Sequence, residues 1–101
     1  MVALTVLYQQ GVPFDMDYYT SRHLPLVDRV MKPLGLVRAE VHREIVHMDR
    51  SPAAHQVMAS LYFESAEALR GALRNPAAAE VTGDVKNFYP EQPEFRIAQV
   101  L

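Results

Sequence analysis

The stretch FDMDYYTSRHLPLV, residues 14–27, places a histidine on the apolar side of a predicted helix. At helical spacing, one face of that helix carries Met16, Tyr19, His23, Val27 and Val30. The aliphatic members of this face can be buried without a hydrogen-bond partner, whereas an imidazole cannot. Its pKa also lies near neutrality, where a side chain can transfer protons. His23 is therefore the first candidate for chemistry in this chain.

The same stretch predicts where this helix begins and where it becomes irregular. Asp15 is a suitable N-cap, and Asp17 brings negative charge to the first turn, where it suits the helix dipole. Pro25 has no backbone N–H to donate. The helix, predicted over residues 15–31, should therefore kink or fray near residues 21–25, next to the candidate histidine.

Length and composition favour one small globular domain, residues 1–101, half of whose residues are apolar. A net charge of −2 without a basic tract excludes the usual electrostatic basis of nucleic-acid binding. No apolar run is long enough to span a bilayer, and the first residues lack a signal-peptide pattern. The absence of cysteine excludes disulfides and thiolate chemistry. We expect a cytoplasmic protein with neither a nucleic-acid nor a membrane partner.

The order of the predicted elements is strand, helix, strand, strand, helix, strand. The strands are predicted at 2–8, 36–47, 55–63 and 94–101, and the helices at 15–31 and 66–74, with an extra turn through Val81 that Gly83 ends. This order predicts an α+β sandwich of the ferredoxin-like kind, with an antiparallel sheet and both helices on one face. The first and third strands should be central, because neither has a polar face.

The same fold predicts a homodimer. Two helices cover only one face of the sheet, so Ala3, Thr5 and Leu7, or the opposite set of strand residues, would meet water in a monomer. Burial stabilises each large apolar side chain by roughly 1.5–3 kcal/mol. We therefore expect two copies to pack sheet against sheet, alone or within a higher assembly of such dimers.

Two segments resemble the two ends of an EthD-family protein, a family named for ether degradation. The first is FDMDYYTSRHLPLV followed by KPLGL, and the second is NFYPEQPEFRIAQV, residues 87–100. The resemblance covers essentially the whole chain. It implies a dimeric α+β barrel whose ferredoxin-like subunits each have a pocket between helices and sheet. Superfamily relatives include cofactor-free monooxygenases, lactone isomerases, polyketide cyclases and heme-dependent enzymes, so the resemblance implies the fold more closely than the reaction.

His23 is predicted as the catalytic residue and as a ligand contact, since the resemblance includes a histidine before Leu-Pro-Leu. The alternative is a packed histidine that donates to a carbonyl or to Tyr19. Tyr19, one turn earlier, either orients His23 or lines the same cavity. Tyr62 and Phe88 are further predicted ligand contacts, although aromatic residues more often serve core packing. No second acid–base group stands out beside His23, which is expected to work nearly alone.

The remaining residues predict neither a metal nor a cofactor. Glu40, His42 and Glu44 share one strand face, which is more typical of a solvated edge than of a metal site. The four glycines form no phosphate-binding loop. Two functions remain open: a cofactor-independent enzyme on a small apolar or aromatic ether, lactone or carbonyl compound, or a non-catalytic accessory dimer that binds such a compound.

Overall fold

The computed structural model describes residues 1–101 as a four-stranded antiparallel sheet with helices packed on one face. The strands are β1 (Val2–Gln9), β2 (Leu36–Arg43), β3 (His55–Phe63) and β4 (Glu94–Gln99). Their order across the sheet is β2-β3-β1-β4. The predicted ferredoxin-like fold and the central position of the first and third strands are therefore confirmed.

The first helix is continuous over residues 16–31 but changes its geometry within that range. An α-helical turn, Met16–Tyr18, leads into a π-helical turn, Tyr19–His23, and then into α-helix again at Leu24–Met31. Asp15 is the N-cap, since its side chain accepts from the Tyr18 N–H at 3.0 Å.

The irregularity predicted near Pro25 is thus a π turn that begins two residues earlier than expected. Pro25 cannot donate to the Ser21 carbonyl, and a helix missing one backbone bond adjusts locally. The Leu24 N–H instead bonds the Tyr19 carbonyl, five residues back. This wider turn carries His23.

The second half of the chain contains two further helices. The second helix, Ala66–Arg74, begins at Ser65, whose hydroxyl accepts from the Ala68 N–H at 3.1 Å, as predicted. The third helix, Ala78–Asp84, continues into a 3-10 turn, Val85–Asn87. The prediction that Gly83 ends this helix was wrong, because the helix runs through Asp84, whose side chain is hydrogen-bonded to the first helix, and continues into the 3-10 turn.

Two strands are shorter than predicted. β2 ends at Arg43, and the chain continues to β3 through a long hairpin closed by a bridge between Val46 and Pro52. β4 ends at Gln99, which pairs with Val2 at the start of β1. One further backbone bond follows, from the Val100 N–H to the Met1 carbonyl at 2.9 Å.

The core lies between the sheet and the helices. Leu4, Val6 and Tyr8 on β1 face the helices, as do Leu61 and Phe63 on β3, and the residues between them face the other way. No helix has the length and apolar character that crossing a bilayer requires.

The far face of the sheet differs from expectation. Ala3 and Leu7 lie there, yet they are only 8% and 5% exposed. Their cross-strand partners on β3 are Tyr62 and Met58, whose longer side chains flank them. The prediction that these central residues would meet water in a monomer was therefore wrong for Ala3 and Leu7, whereas Thr5 between them is only half-buried.

Candidate functional site

A cavity of about 480 Å³ lies between the helices and the sheet. Fifteen of the nineteen residues that line it are hydrophobic, and the other four are His23, Thr82, Gln92 and Pro93. Its wall contains no lysine, arginine, aspartate or glutamate. Its hydrophobic residues come from all three helices and from β1, β3 and β4: Leu4, Val6, Tyr8, Tyr19, Leu24, Val27, Met31, Ala59, Leu61, Leu73, Ala78, Val81, Val85, Phe95 and Ile97.

His23 presents one ring nitrogen to this cavity. Its side chain is nearly buried, and Nδ1 lies 2.9 Å from Oδ2 of Asp84. Nε2 makes no hydrogen bond within the protein. Every side-chain nitrogen that is fully shielded from solvent has a partner, so the unpartnered Nε2 keeps some contact with accessible space. That space is the cavity, which His23 lines. The second ring nitrogen is therefore available to a ligand.

Asp84 holds the opposite side of the imidazole and belongs to a small hydrogen-bond network. Its Oδ1 accepts from the Tyr18 hydroxyl at 2.6 Å and from Nδ2 of Asn87 at 2.9 Å. Its Oδ2 takes the bond from His23, so both carboxylate oxygens have donors. Asp84 does not line the cavity, so the negative charge stays on the side of His23 away from a ligand.

This partner corrects the expectation that His23 stands without a second acid–base group. Asp84 lies 61 residues from His23 in the chain, at the end of a helix that the sequence pattern did not extend so far. No spacing rule within a single sequence connects such positions. His23 and Asp84 come together only when the third helix packs beside the π turn.

The surroundings determine the charge of both groups. Burial lowers the pKa of His23 from its ordinary value, although the hydrogen bond and charge of Asp84 act against that shift. Burial alone raises the pKa of Asp84, but hydrogen bonds from Tyr18, His23 and Asn87 outweigh it and hold that pKa below its usual value. At neutral pH, Asp84 is ionised and His23 is neutral.

A neutral His23 beside an ionised carboxylate has one favoured tautomer. Nδ1 carries the proton and donates a hydrogen bond to Asp84, so Nε2 has a free lone pair. Nε2 can then accept a proton from a group in the cavity. The arrangement is that of a general base whose orientation is fixed by a third group.

The predicted ligand contacts Tyr19, Phe88 and Tyr62 lie in three different places relative to the cavity. Tyr19 lines the cavity and stacks on His23, with ring centroids 5.6 Å apart. Phe88 packs on His23 at 4.4 Å between centroids but is not part of the cavity wall.

Tyr62 lies on the far face of the sheet, where the guanidinium of Arg38 is 4.2 Å from the centre of its ring. Tyr62, predicted as a ligand contact, does not line the cavity, because side chains alternate along β3 and its neighbours Leu61 and Phe63 take the helix side of the sheet.

The other histidines lie away from the cavity and pair with glutamates. His42 contacts Glu40 at 3.1 Å on β2, and Glu44 contacts His47 at 3.1 Å and His55 at 3.8 Å at the base of the hairpin. No group of three or more histidine, aspartate or glutamate side chains is arranged to hold a metal ion.

Comparisons with solved structures agree with this fold. An EthD-like protein from Ralstonia eutropha JMP134 is 26% identical, with a TM-score of 0.85 over 99% of this chain and 91% of that chain. An ethyl tert-butyl ether degradation (EthD) family protein from Bacillus halodurans C-125 is 24% identical, with a TM-score of 0.82 over 100% and 99% of the two chains.

A more distant fold relative is SnoaB, a cofactor-independent oxygenase from Streptomyces nogalater. It is 16% identical, with a TM-score of 0.62 over 99% of this chain and 91% of that chain. No curated protein matches the chain.

The family model of the EthD domain matches residues 12–92, a range that includes the π turn, His23 and the Asp84 network. A match over this much of the sequence, together with the agreement in fold, establishes the family. The chain belongs to the EthD family.

Proposed function

We propose that the protein binds a small, uncharged apolar or aromatic compound of the ether, lactone or carbonyl type in this cavity. His23 then transfers a proton to or from the bound compound, and no cofactor takes part. One observation carries the proposal: the free Nε2 of a neutral imidazole, oriented by Asp84, lies on the wall of an otherwise apolar cavity.

The cavity wall favours an uncharged ligand. A charged group that enters an apolar site loses its hydration and needs an opposite charge in exchange. No lysine, arginine, aspartate or glutamate lines this cavity to supply one. Its volume of about 480 Å³ lies within the range of roughly 300–1,000 Å³ that is usual for small-molecule sites.

The chemistry proposed for His23 needs only the groups present in the chain. A positioned general base accelerates proton transfer by roughly 10²–10⁴-fold. SnoaB, which shares the fold, is described as a cofactor-independent oxygenase. Its likeness supports the idea that this architecture can hold a reacting compound without a bound cofactor.

A second function is favoured by the composition of the same wall. His23 is the only side chain lining the cavity whose ordinary pKa lies near neutrality. A single such group also suits a non-catalytic accessory protein, in which Nε2 accepts a hydrogen bond and orients the ligand. The two functions differ in whether turnover depends on His23.

A thermal-shift screen tests the charge preference. We expect neutral anisole, acetophenone or phthalide to raise the melting temperature, and benzoate to leave it unchanged, because the wall offers no cation. At one hundred times its Kd a ligand adds about 2.7 kcal/mol to the free energy of unfolding. Stabilisation by benzoate equal to that by acetophenone contradicts the proposal.

Variants of the dyad test proton transfer once a substrate is found. In His23→Asn, we expect turnover to fall by about 10²–10⁴-fold while the affinity for the ligand changes far less. Turnover that persists in this variant contradicts the enzymatic function. A ligand that binds without any turnover by the wild type indicates the accessory function instead.

Asp84→Asn should impair His23 by reversing its tautomer. Tyr18 and Asn87 both donate to Oδ1, so the amide oxygen of the new side chain faces them and its NH₂ group faces Nδ1 of His23. Nε2 then carries the proton and can no longer accept one. Nitrogen NMR of the imidazole should show this change of tautomer, and the control Asp17→Asn, an exposed substitution on the first helix, should leave the wild-type tautomer.

The buried neutral histidine also predicts a pH dependence of stability. Because the pKa of His23 is lower in the folded chain than its ordinary 6.5, the unfolded chain binds the proton first and stability falls as pH drops below about 6.5. The pKa of Asp84 is lowered from 3.8, so its contribution is present above about 3.8 and is lost only at lower pH.

Urea unfolding between about pH 7.5 and pH 5 measures this slope, which for one proton is at most about 1.4 kcal/mol per pH unit. We expect His23→Gln to flatten the dependence, whereas His42→Gln, on the exposed surface of β2, should retain the wild-type slope. A wild-type slope in His23→Gln contradicts the assignment of a buried neutral imidazole.

We also propose that the protein is a homodimer. Large apolar side chains remain exposed, among them Phe95 and Ile97 on the cavity wall and Ile45 and Met48 in the hairpin. A second copy offers a surface to cover them. Light scattering at micromolar concentration should give twice the monomer mass of 11.4 kDa, and a monodisperse monomer contradicts the proposal.

A further inference from the structure

Two tyrosine hydroxyls on the cavity wall have no partner in the protein. Tyr8 and Tyr19 line the cavity and are only 2% and 1% exposed. Neither phenol oxygen takes part in a hydrogen bond. Every side-chain oxygen that is fully shielded from solvent does have a partner, so these two oxygens are not fully shielded. Each oxygen must therefore keep contact with accessible space, and for residues so deeply buried that space is the cavity they line.

These two residues lie together and close to His23. The ring centroids of Tyr8 and Tyr19 are 5.8 Å apart, and Tyr19 stacks on the imidazole at 5.6 Å. Other tyrosines nearby are engaged elsewhere, since the Tyr18 hydroxyl donates to Asp84 and the Tyr89 hydroxyl accepts from the backbone of Gln9. The free phenols and the free Nε2 are thus on neighbouring parts of one wall.

The phenols can act only as neutral donors. Burial raises the pKa of Tyr8 and the pKa of Tyr19 well above their ordinary value, so both keep their protons at any working pH. A phenol O–H that faces an apolar cavity is a strong donor to an oxygen on which negative charge develops. The wall therefore combines one proton acceptor with two proton-retaining donors.

We propose that Tyr8 and Tyr19 bind the oxygen of an uncharged carbonyl compound while His23 removes a proton from the adjacent carbon, which makes the reaction an enolisation. This inference rests on the proposed function of His23 and adds to it the substrate class and two further catalytic residues. The two hydroxyls take the role of an oxyanion hole.

The step balances without an oxidant or a cofactor. The lone pair of Nε2 takes the α-proton, the electron pair of the broken C–H bond forms a C=C bond, and the carbonyl π pair moves to the oxygen that the two phenols hold. The imidazolium then returns the proton to that oxygen or to another carbon of the conjugated system. The product is an isomer of the substrate.

Binding of an uncharged enol analogue tests the two donors. The probe is 4-nitrophenol, an acidic phenol of planar shape, compared with nitrobenzene, which lacks the hydroxyl. By calorimetry we expect the wild type to bind 4-nitrophenol more tightly than nitrobenzene. Tyr8→Phe and Tyr19→Phe should each reduce the affinity for 4-nitrophenol by about tenfold and leave the affinity for nitrobenzene unchanged. The control Tyr62→Phe, on the far face of the sheet, should leave the affinities for both probes unchanged.

Proton exchange tests the reaction itself. The wild type, incubated with 2-tetralone in deuterated water, should speed deuterium incorporation at the α-carbons over buffer, as followed by proton NMR. His23→Asn should abolish that acceleration. Tyr8→Phe and Tyr19→Phe should each slow it by about 10²–10³-fold while melting at the wild-type temperature or above, since each change removes a hydroxyl that has no partner in the protein.

The outcomes separate the two proposals. Exchange that needs His23 but proceeds at the wild-type rate in both Tyr→Phe variants overturns the role of the phenols and leaves the base intact. Exchange that survives in His23→Asn overturns the proposed function of His23. A wild type that binds 4-nitrophenol no more tightly than nitrobenzene, or that does not speed exchange, overturns the enolisation.

Discussion

The hydrogen bond between Nδ1 of His23 and Oδ2 of Asp84 is the interaction on which the site depends. It joins the π turn of the first helix to the end of the third helix across 61 residues of chain. Without it, the buried imidazole would have no polar partner, and a buried polar group left unpaired costs about 1–3 kcal/mol. The same bond fixes the tautomer, so the contact that makes burial of His23 tolerable also directs Nε2 into the cavity.

The backbone irregularity beside Pro25 contributes to that geometry. A π turn inserts one residue into the helical repeat and so changes the direction of the side chains that follow. Here the turn spans Tyr19–His23 and places both ends of the segment on the buried side. Tyr19 and His23, four residues apart, would share a face in a regular helix as well, and across the π turn they stack and line one wall of the cavity.

Much of this fold follows from the sequence, because its determinants are local. Asp15 and Ser65 mark helix starts through side-chain chemistry that is visible within four residues. The central position of β1 and β3 follows from their lack of a polar face. The direction of Tyr62 was nevertheless readable from β3, because Tyr62 shares its alternate positions with the polar Gln56 and Ser60, whereas the other set is apolar from Val57 to Phe63. Asp84 was missed for a different reason, since its partner is brought near only by tertiary packing.

The placement of charge explains how so apolar a cavity can hold a working base. Asp84 lies behind His23, has a side chain 12% exposed, and is bound by three donors, so its charge is stabilised without lining the cavity. A carboxylate on the wall would bind water and repel an oxygen on which negative charge develops. Separating the charge from the cavity by one imidazole keeps the ligand's surroundings neutral. When Nε2 takes a proton, the resulting imidazolium lies between the carboxylate and the reacting compound, where both neighbours favour its positive charge.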